Sequence, residues 1–184
     1  MSTKDLSYIA IFAALVAALG LFPPIPVPVI PVPVTAQTMG VMLAGSILGA
    51  KRAGLSMLVF LALVALGIPA LSGGRGGLGV FAGPSGGFLI GWPIGAFVIG
   101  LLAERSWDSY NVVKGVAFNL LGGICAVYAV GIPWLAAATN IEMHQAAAGS
   151  AAFLPGDALK AVAAAWVAVA VRRAYPLIDS ASAR

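Results

Sequence analysis

Pro23-Pro24-Ile25-Pro26-Val27-Pro28-Val29-Ile30-Pro31-Val32-Pro33 stands between two apolar stretches, about Leu6 to Phe22 and about Thr35 to Ala50. The run carries no charge, and its prolines remove backbone donors and favour extended chain. It is therefore apolar without being helical. Such backbone survives at membrane depth only where it is buried in protein or lines a cavity. Composition bears on which setting applies. Of 184 residues 61% are hydrophobic and 9% charged, with a mean hydropathy of +1.02. Ordinary soluble domains are about 45–50% apolar and about 25% charged. So few charges cannot cover a soluble surface, and disorder is excluded because disordered chains are polar. Glycine (23) and proline (12) are too frequent for a plain hydrophobic bundle. The chain reads as an integral membrane protein with several spans, broken in places.

Working outward from the proline run, six apolar stretches approach the roughly 20 residues that a bilayer demands. They are about Leu6 to Phe22, Thr35 to Ala50 (short for a crossing), Ala53 to Leu71, Phe88 to Ala103, Val112 to Ala138 and Asp157 to Tyr175. The fifth is long and holds Pro133, and Pro93 is expected to kink the fourth. The first lacks an Ala-x-Ala cleavage site, so it reads as a retained helix rather than a signal peptide. No soluble linker divides the chain. The expectation is an all-α integral membrane protein, a compact bundle of six transmembrane helices with structured Pro/Gly-rich outer loops, forming one domain over residues 1–184.

Charge placement orients it. Lys4, Lys51, Arg52, Arg105, Lys114, Arg172, Arg173 and Arg184 fall on one side, against Arg75 and Lys160 on the other. Cytoplasmic loops collect Lys and Arg, so both termini are expected inside a cytoplasmic membrane. The proline run then lies outside, with Ser72 to Gly87 and Thr139 to Gly156. These outer segments are expected to be non-helical and to line or cap an outward-facing pocket.

Pro155-Gly156-Asp157-Ala158-Leu159-Lys160 is the most informative polar stretch. Asp157 is placed at the start of the sixth helix, with Lys160 on the same face at i+3. The plain reading is a helix start with a snorkelling lysine. An ionisable pair inside a span, however, usually faces an interior or a wet cavity, so both are assigned to a binding site. In Gly74-Arg75-Gly76-Gly77-Leu78-Gly79 the match to G-x-G-x-x-G carries no dinucleotide meaning without a soluble βαβ unit. Leu78, Val80 and Phe81 interleave with the glycines, which favours a folded lid over a solvated linker. Arg75 suits an anionic ligand and lipid phosphate equally. Thr35 reads as a cap for the second span. Gln37 must face the pocket or another helix, because an unpaired amide in lipid is costly. Ala10, Ala14 and Ala18 form a small-residue stripe on the first span, fit either for packing within the bundle or for docking a partner. Gly45/Gly49 and Gly91/Gly95 carry the same signal.

The sequence also lacks several kinds of machinery. Gly45 to Lys51 is not a Walker A motif. One Cys (Cys125) and one His (His144) rule out a Cys-based or His-rich metal site. No catalytic set is present, and neither a cofactor nor a nucleic-acid partner is expected. A self-sufficient secondary carrier or channel would need ion-coupling residues through the inner half, where none stands out. That leaves a small membrane binding protein with no engine of its own.

Pro31 to Gly45, Gly73 to Gly79 with Gly83-Pro84-Ser85-Gly86-Gly87-Phe88, and Leu154-Pro155-Gly156-Asp157 with Lys160 together resemble the signature of BioY-type biotin transporters. The resemblance extends over nearly the whole chain. It implies the substrate-capturing S component of an energy-coupling-factor (ECF) transporter, with six helices and biotin held near the outer surface. It also implies a transmembrane coupling protein and cytoplasmic ATPases as partners, with Ala10, Ala14 and Ala18 as the docking face. Membrane lipid is the remaining partner. On this resemblance Asp157 accepts from the ureido N–H groups and Lys160 bonds the ureido carbonyl. Thr35, Gln37 and the backbone of Gly77 to Gly79 are further candidates, with Arg75 as the candidate for the carboxylate tail. The leading alternative is a self-sufficient carrier or channel for a small vitamin.

Overall fold

The structure, a computed structural model, describes residues 1–175 together with 177 and 178. Arg184, counted above among the inner cations, lies outside the described residues. Each apolar stretch is helical: α1 Thr3–Leu19, α2 Gln37–Leu48, α3 Ala50–Ala65, the single turn α4 Gly79–Ala82, α5 Gly86–Arg105, α6 Val112–Asn119, α7 Val127–Thr139, α8 Met143–Ser150 and α9 Leu154–Ala174. The fold class is all-helical, as expected. No strand occurs among the described residues, only two isolated antiparallel bridges, Ile25 with Val34 and Leu71 with Arg75. Three continuous helical stretches are long and apolar enough to cross a membrane: Gly86–Arg105, Val112–Thr139 and Met143–Ala174.

The helices start and stop for identifiable reasons. Ser2 and Asp5 form a reciprocal capping box at the start of α1, satisfying donors that have no partner within the helix. Between α2 and α3 the chain reverses at Gly49, where φ is +81°, a conformation that side chains with a Cβ rarely adopt. α2 is buried from Gly40 to Leu48, which marks it as a central element with neighbours on every side. α5 runs unbroken through Pro93 and packs on α2, α3 and α7. A Cβ on Gly95 would lie 2.6 Å from the Gly122 carbonyl oxygen, and one on Gly45 would lie 2.6 Å from Ile99 Cβ. These glycines let backbones touch, as small-residue stripes do between membrane helices.

Four local expectations are corrected. Thr35 does not cap α2: the N-cap is Ala36, without a side-chain bond. α9 begins at Leu154 with Pro155 and Asp157 both in its first turn, so Asp157 does not itself start the helix. The outer stretches are partly helical, since α4 and α8 lie within them and a 3-10 turn covers Ala151–Phe153. The long fifth stretch is not a uniform helix either: Leu120–Ala126 is π-helical, between α6 and α7. Asn119, fully buried at its head, donates to the Ala161 carbonyl at 3.0 Å and accepts from Ser46 Oγ at 2.9 Å. Those bonds tie the start of the π turn to α2 and α9.

The bundle has two chemically different ends. At one, Arg52 pairs with Asp5 at 2.7 Å and donates to the Leu177 carbonyl at 2.8 Å. Glu104 accepts from the Ala50 amide there at 2.9 Å, and Arg172 donates to the Tyr110 carbonyl at 2.6 Å. This end gathers the basic connections. At the other end the proline run folds into a strap closed by the Ile25–Val34 bridge, with Ile30 and Val32 buried in the core. Trp134 Nε1 donates to the Gly83 carbonyl at 3.0 Å, tying α7 to the glycine-rich loop.

Candidate ligand-binding site

At the strap end a narrow cavity runs down between α2, α5, α7 and α9. Val32 to Thr35 of the strap form one side, and Gln37 and Thr38 follow from the first turn of α2. Leu71 and Arg75 come from the loop after α3. Ser85, just before α5, and Phe88, Leu89 and Trp92 on it form one stripe, Val127 and Tyr128 face them from α7, and Phe153, Asp157 and Lys160 complete the wall. The aromatic part is tightly built: Phe88 meets Tyr128 and Phe153 edge-on, each at 5.9 Å between centroids.

One polar station interrupts this wall. Asp157 and Lys160 pair at 3.0 Å, their side chains 4% and 15% exposed. Lys160 Nζ also donates to the Thr35 carbonyl at 2.5 Å and to Thr38 Oγ1 at 2.9 Å. Thr38 donates onward to Asp157 Oδ1 at 3.1 Å, and Tyr128 donates to Asp157 Oδ2 at 2.7 Å. All three ammonium donors are engaged, whereas a carboxylate offers about four acceptor sites, so one remains for a ligand N–H. The Tyr128 oxygen is a second open acceptor. A ligand carbonyl that bonds Lys160 must displace one of its three present partners.

The sequence-based candidates separate on this geometry. Asp157, Lys160, Thr35, Gln37 and Arg75 all line the cavity. Thr35 acts through its backbone carbonyl. Gln37 is fully occupied: its amide donates to the Val16 and Ala70 carbonyls at 3.0 Å each and accepts from the Ser72 amide at 2.9 Å. It joins α1 to the loop that carries Arg75. Arg75 Nε donates to the Ser72 carbonyl at 3.3 Å, and no carboxylate among the described residues lies within 4.0 Å of it. The wall thus holds two cations and one carboxylate. Gly77 and Gly79 are outside the wall, although Gly77 shapes the loop through a φ of +87° and a 2.7 Å bond to the Val64 carbonyl. Sequence reading missed Thr38 and Tyr128 as site residues. A signal for Tyr128 existed, because a buried phenol usually finds a partner. Ala10, Ala14 and Ala18 lie together on an exposed face of α1, away from the cavity.

Comparison with known proteins agrees with this architecture. The sequence model of the BioY family matches residues 1–177. The biotin transporter BioY of Rhizobium etli is 51% identical over 98% of this chain and 99% of its own length. The probable biotin transporter BioY of Bacillus subtilis is 48% identical, covering 96% and 94%. Among solved structures, the crystal structure of the S component for biotin from an ECF-type ABC transporter superposes with a TM-score of 0.89 at 37% identity. That match covers 94% of this chain and 95% of the other. The chain is a multi-pass membrane protein and belongs to the BioY family.

Proposed function

We propose that this chain captures biotin in the cavity at its strap end and serves its uptake as the S component of an ECF transporter. The observation that carries the reading is the Asp157–Lys160–Thr38–Tyr128 station set in an otherwise apolar and aromatic cavity. Biotin has a head that donates two N–H groups and offers one carbonyl, an apolar ring body and an anionic tail. The open acceptors on Asp157 and Tyr128 suit the two N–H groups, and the aromatic wall suits the rings. The wall's single excess positive charge suits the tail, with Arg75 as its partner. The names of the relatives and of the superposed structure support the same ligand.

The strap end faces outward and the basic end faces the cytoplasm, with both termini there, a reading supported by the Lys and Arg count. The residence is the cytoplasmic membrane, crossed by six segments. A transmembrane coupling protein docks on the Ala10/Ala14/Ala18 face, and cytoplasmic ATPases supply energy that this chain has no motif to generate. Titrating the purified chain with biotin, thiamine and riboflavin tests the reading. Saturable binding of biotin alone supports it, and selective binding of another vitamin overturns it.

A further inference from the structure

Among the described residues, three buried side-chain polar atoms have no hydrogen-bond partner: Trp92 Nε1, Tyr110 OH and Ser150 Oγ. Only Trp92 lines the cavity. It is 4% exposed, and its indole packs on the buried Phe60 ring at 5.9 Å between centroids. A donor sealed from solvent and left unpaired is destabilising, and native proteins retain few such groups without a reason. Its depth is defined by a close helix contact: a Cβ on Gly91 would lie 3.0 Å from the Val127 carbonyl oxygen. Trp92 stands one helical turn along α5 from Phe88, the ring that meets Tyr128 edge-on, and Tyr128 donates to Asp157.

The donors of the polar station are committed. Those of Lys160 go to Thr35, Thr38 and Asp157, and that of Tyr128 goes to Asp157. The indole N–H is uncommitted and neutral. A carboxylate tail is a poor partner for it, because a charge buried beside one neutral donor is heavily penalised. We propose that Trp92 Nε1–H donates a hydrogen bond to an acceptor on the ligand's fused ring system, making Trp92 a specificity-determining residue for the bicyclic head. This rests on the biotin reading above. It extends the polar contacts beyond the Asp157 and Lys160 station, and it requires the indole N–H to turn into the cavity as the ligand seats.

The test replaces only the N–H. Trp92→3-benzothienylalanine keeps the ring shape and removes the donor, and Trp92→Phe is the genetically encoded counterpart. Both are titrated calorimetrically with biotin and with biotin methyl ester, and the Tm of each unliganded protein is measured. The isostere is expected to weaken both ligands by the same factor, about tenfold, the upper end for one neutral hydrogen bond. Its unliganded Tm is expected to be equal to or above that of the wild type. Unchanged biotin affinity in the isostere overturns the proposal. A loss confined to the free acid overturns it too, because the tail would then be the partner. If the unmodified chain does not bind biotin, the functional reading falls and this proposal falls with it.

Discussion

Tyr128 illustrates how the site depends on single atoms. Its hydroxyl donates at 2.7 Å to a carboxylate that is almost wholly removed from solvent. A hydrogen bond to a charged group contributes about 1.5–3 kcal/mol. Tyr128→Phe keeps the edge-on packing against Phe88 and Phe153 but takes away that donor and an open acceptor. Biotin affinity in this variant, measured calorimetrically, is expected to fall between about tenfold and a hundredfold, because each 1.4 kcal/mol is a factor of about ten. Unaltered affinity would place Tyr128 outside the binding chemistry. Asp157 and Lys160 were legible in the sequence because they are three residues apart on one helix, a spacing that guarantees contact. Thr38 and Tyr128 reach Asp157 across 119 and 29 residues. Only the tertiary fold brings them there, and no local spacing encodes it.

At the scale of elements, the turn between α2 and α3 is the most constrained joint. Gly49 combines φ +81° with ψ 176°, and a Cβ there would collide with the Glu104 carboxylate that caps the Ala50 amide. Backbone in such a region costs about 1–3 kcal/mol for a residue with a side chain. Gly49→Ala is expected to lower stability by at least that amount, read as a drop in Tm of the unliganded protein. An unchanged Tm would mean the turn relaxes freely. Helix existence was legible from apolar length alone. The π turn at Leu120–Ala126 was not, because Gly122 and Gly123 sit in a run that is apolar whichever helix type it adopts. The turn depends on contacts with α5 and on the buried Asn119, both tertiary. Thr35 misled in a different way. Its hydroxyl suits a cap, but it is its carbonyl that is used, recruited by Lys160 at 2.5 Å, and the helix begins one residue later than a Thr35 cap would allow.

At the scale of the whole molecule, the densest proline and glycine clusters lie at one end. There they build the strap, the loop that carries Arg75 and the floor under Trp134. The basic end is closed by the Asp5–Arg52–Leu177 latch and by Arg172. Between the two, α1 packs on α2 and α3 and leaves its alanine face uncovered. Ala14→Trp blocks close approach of another membrane helix without touching the cavity. It is expected to abolish co-purification with the coupling protein while leaving biotin affinity unchanged; retained assembly would remove this face from the docking surface. The division into ends was legible from the cation count, because charge bias is a property of loops in sequence. The packing of a proline run into the core, with Ile30 and Val32 buried, needed the structure.

The decisive measurement is a calorimetric titration of biotin into the purified wild-type chain and into Asp157→Asn. Breaking one partner of a buried charged set costs about 3–5 kcal/mol. The wild type is expected to bind one biotin saturably, and the variant, folded and membrane-inserted, to bind more than about a hundredfold more weakly. Equal affinity in the two proteins, or no saturable biotin binding by the wild type, would contradict the assignment.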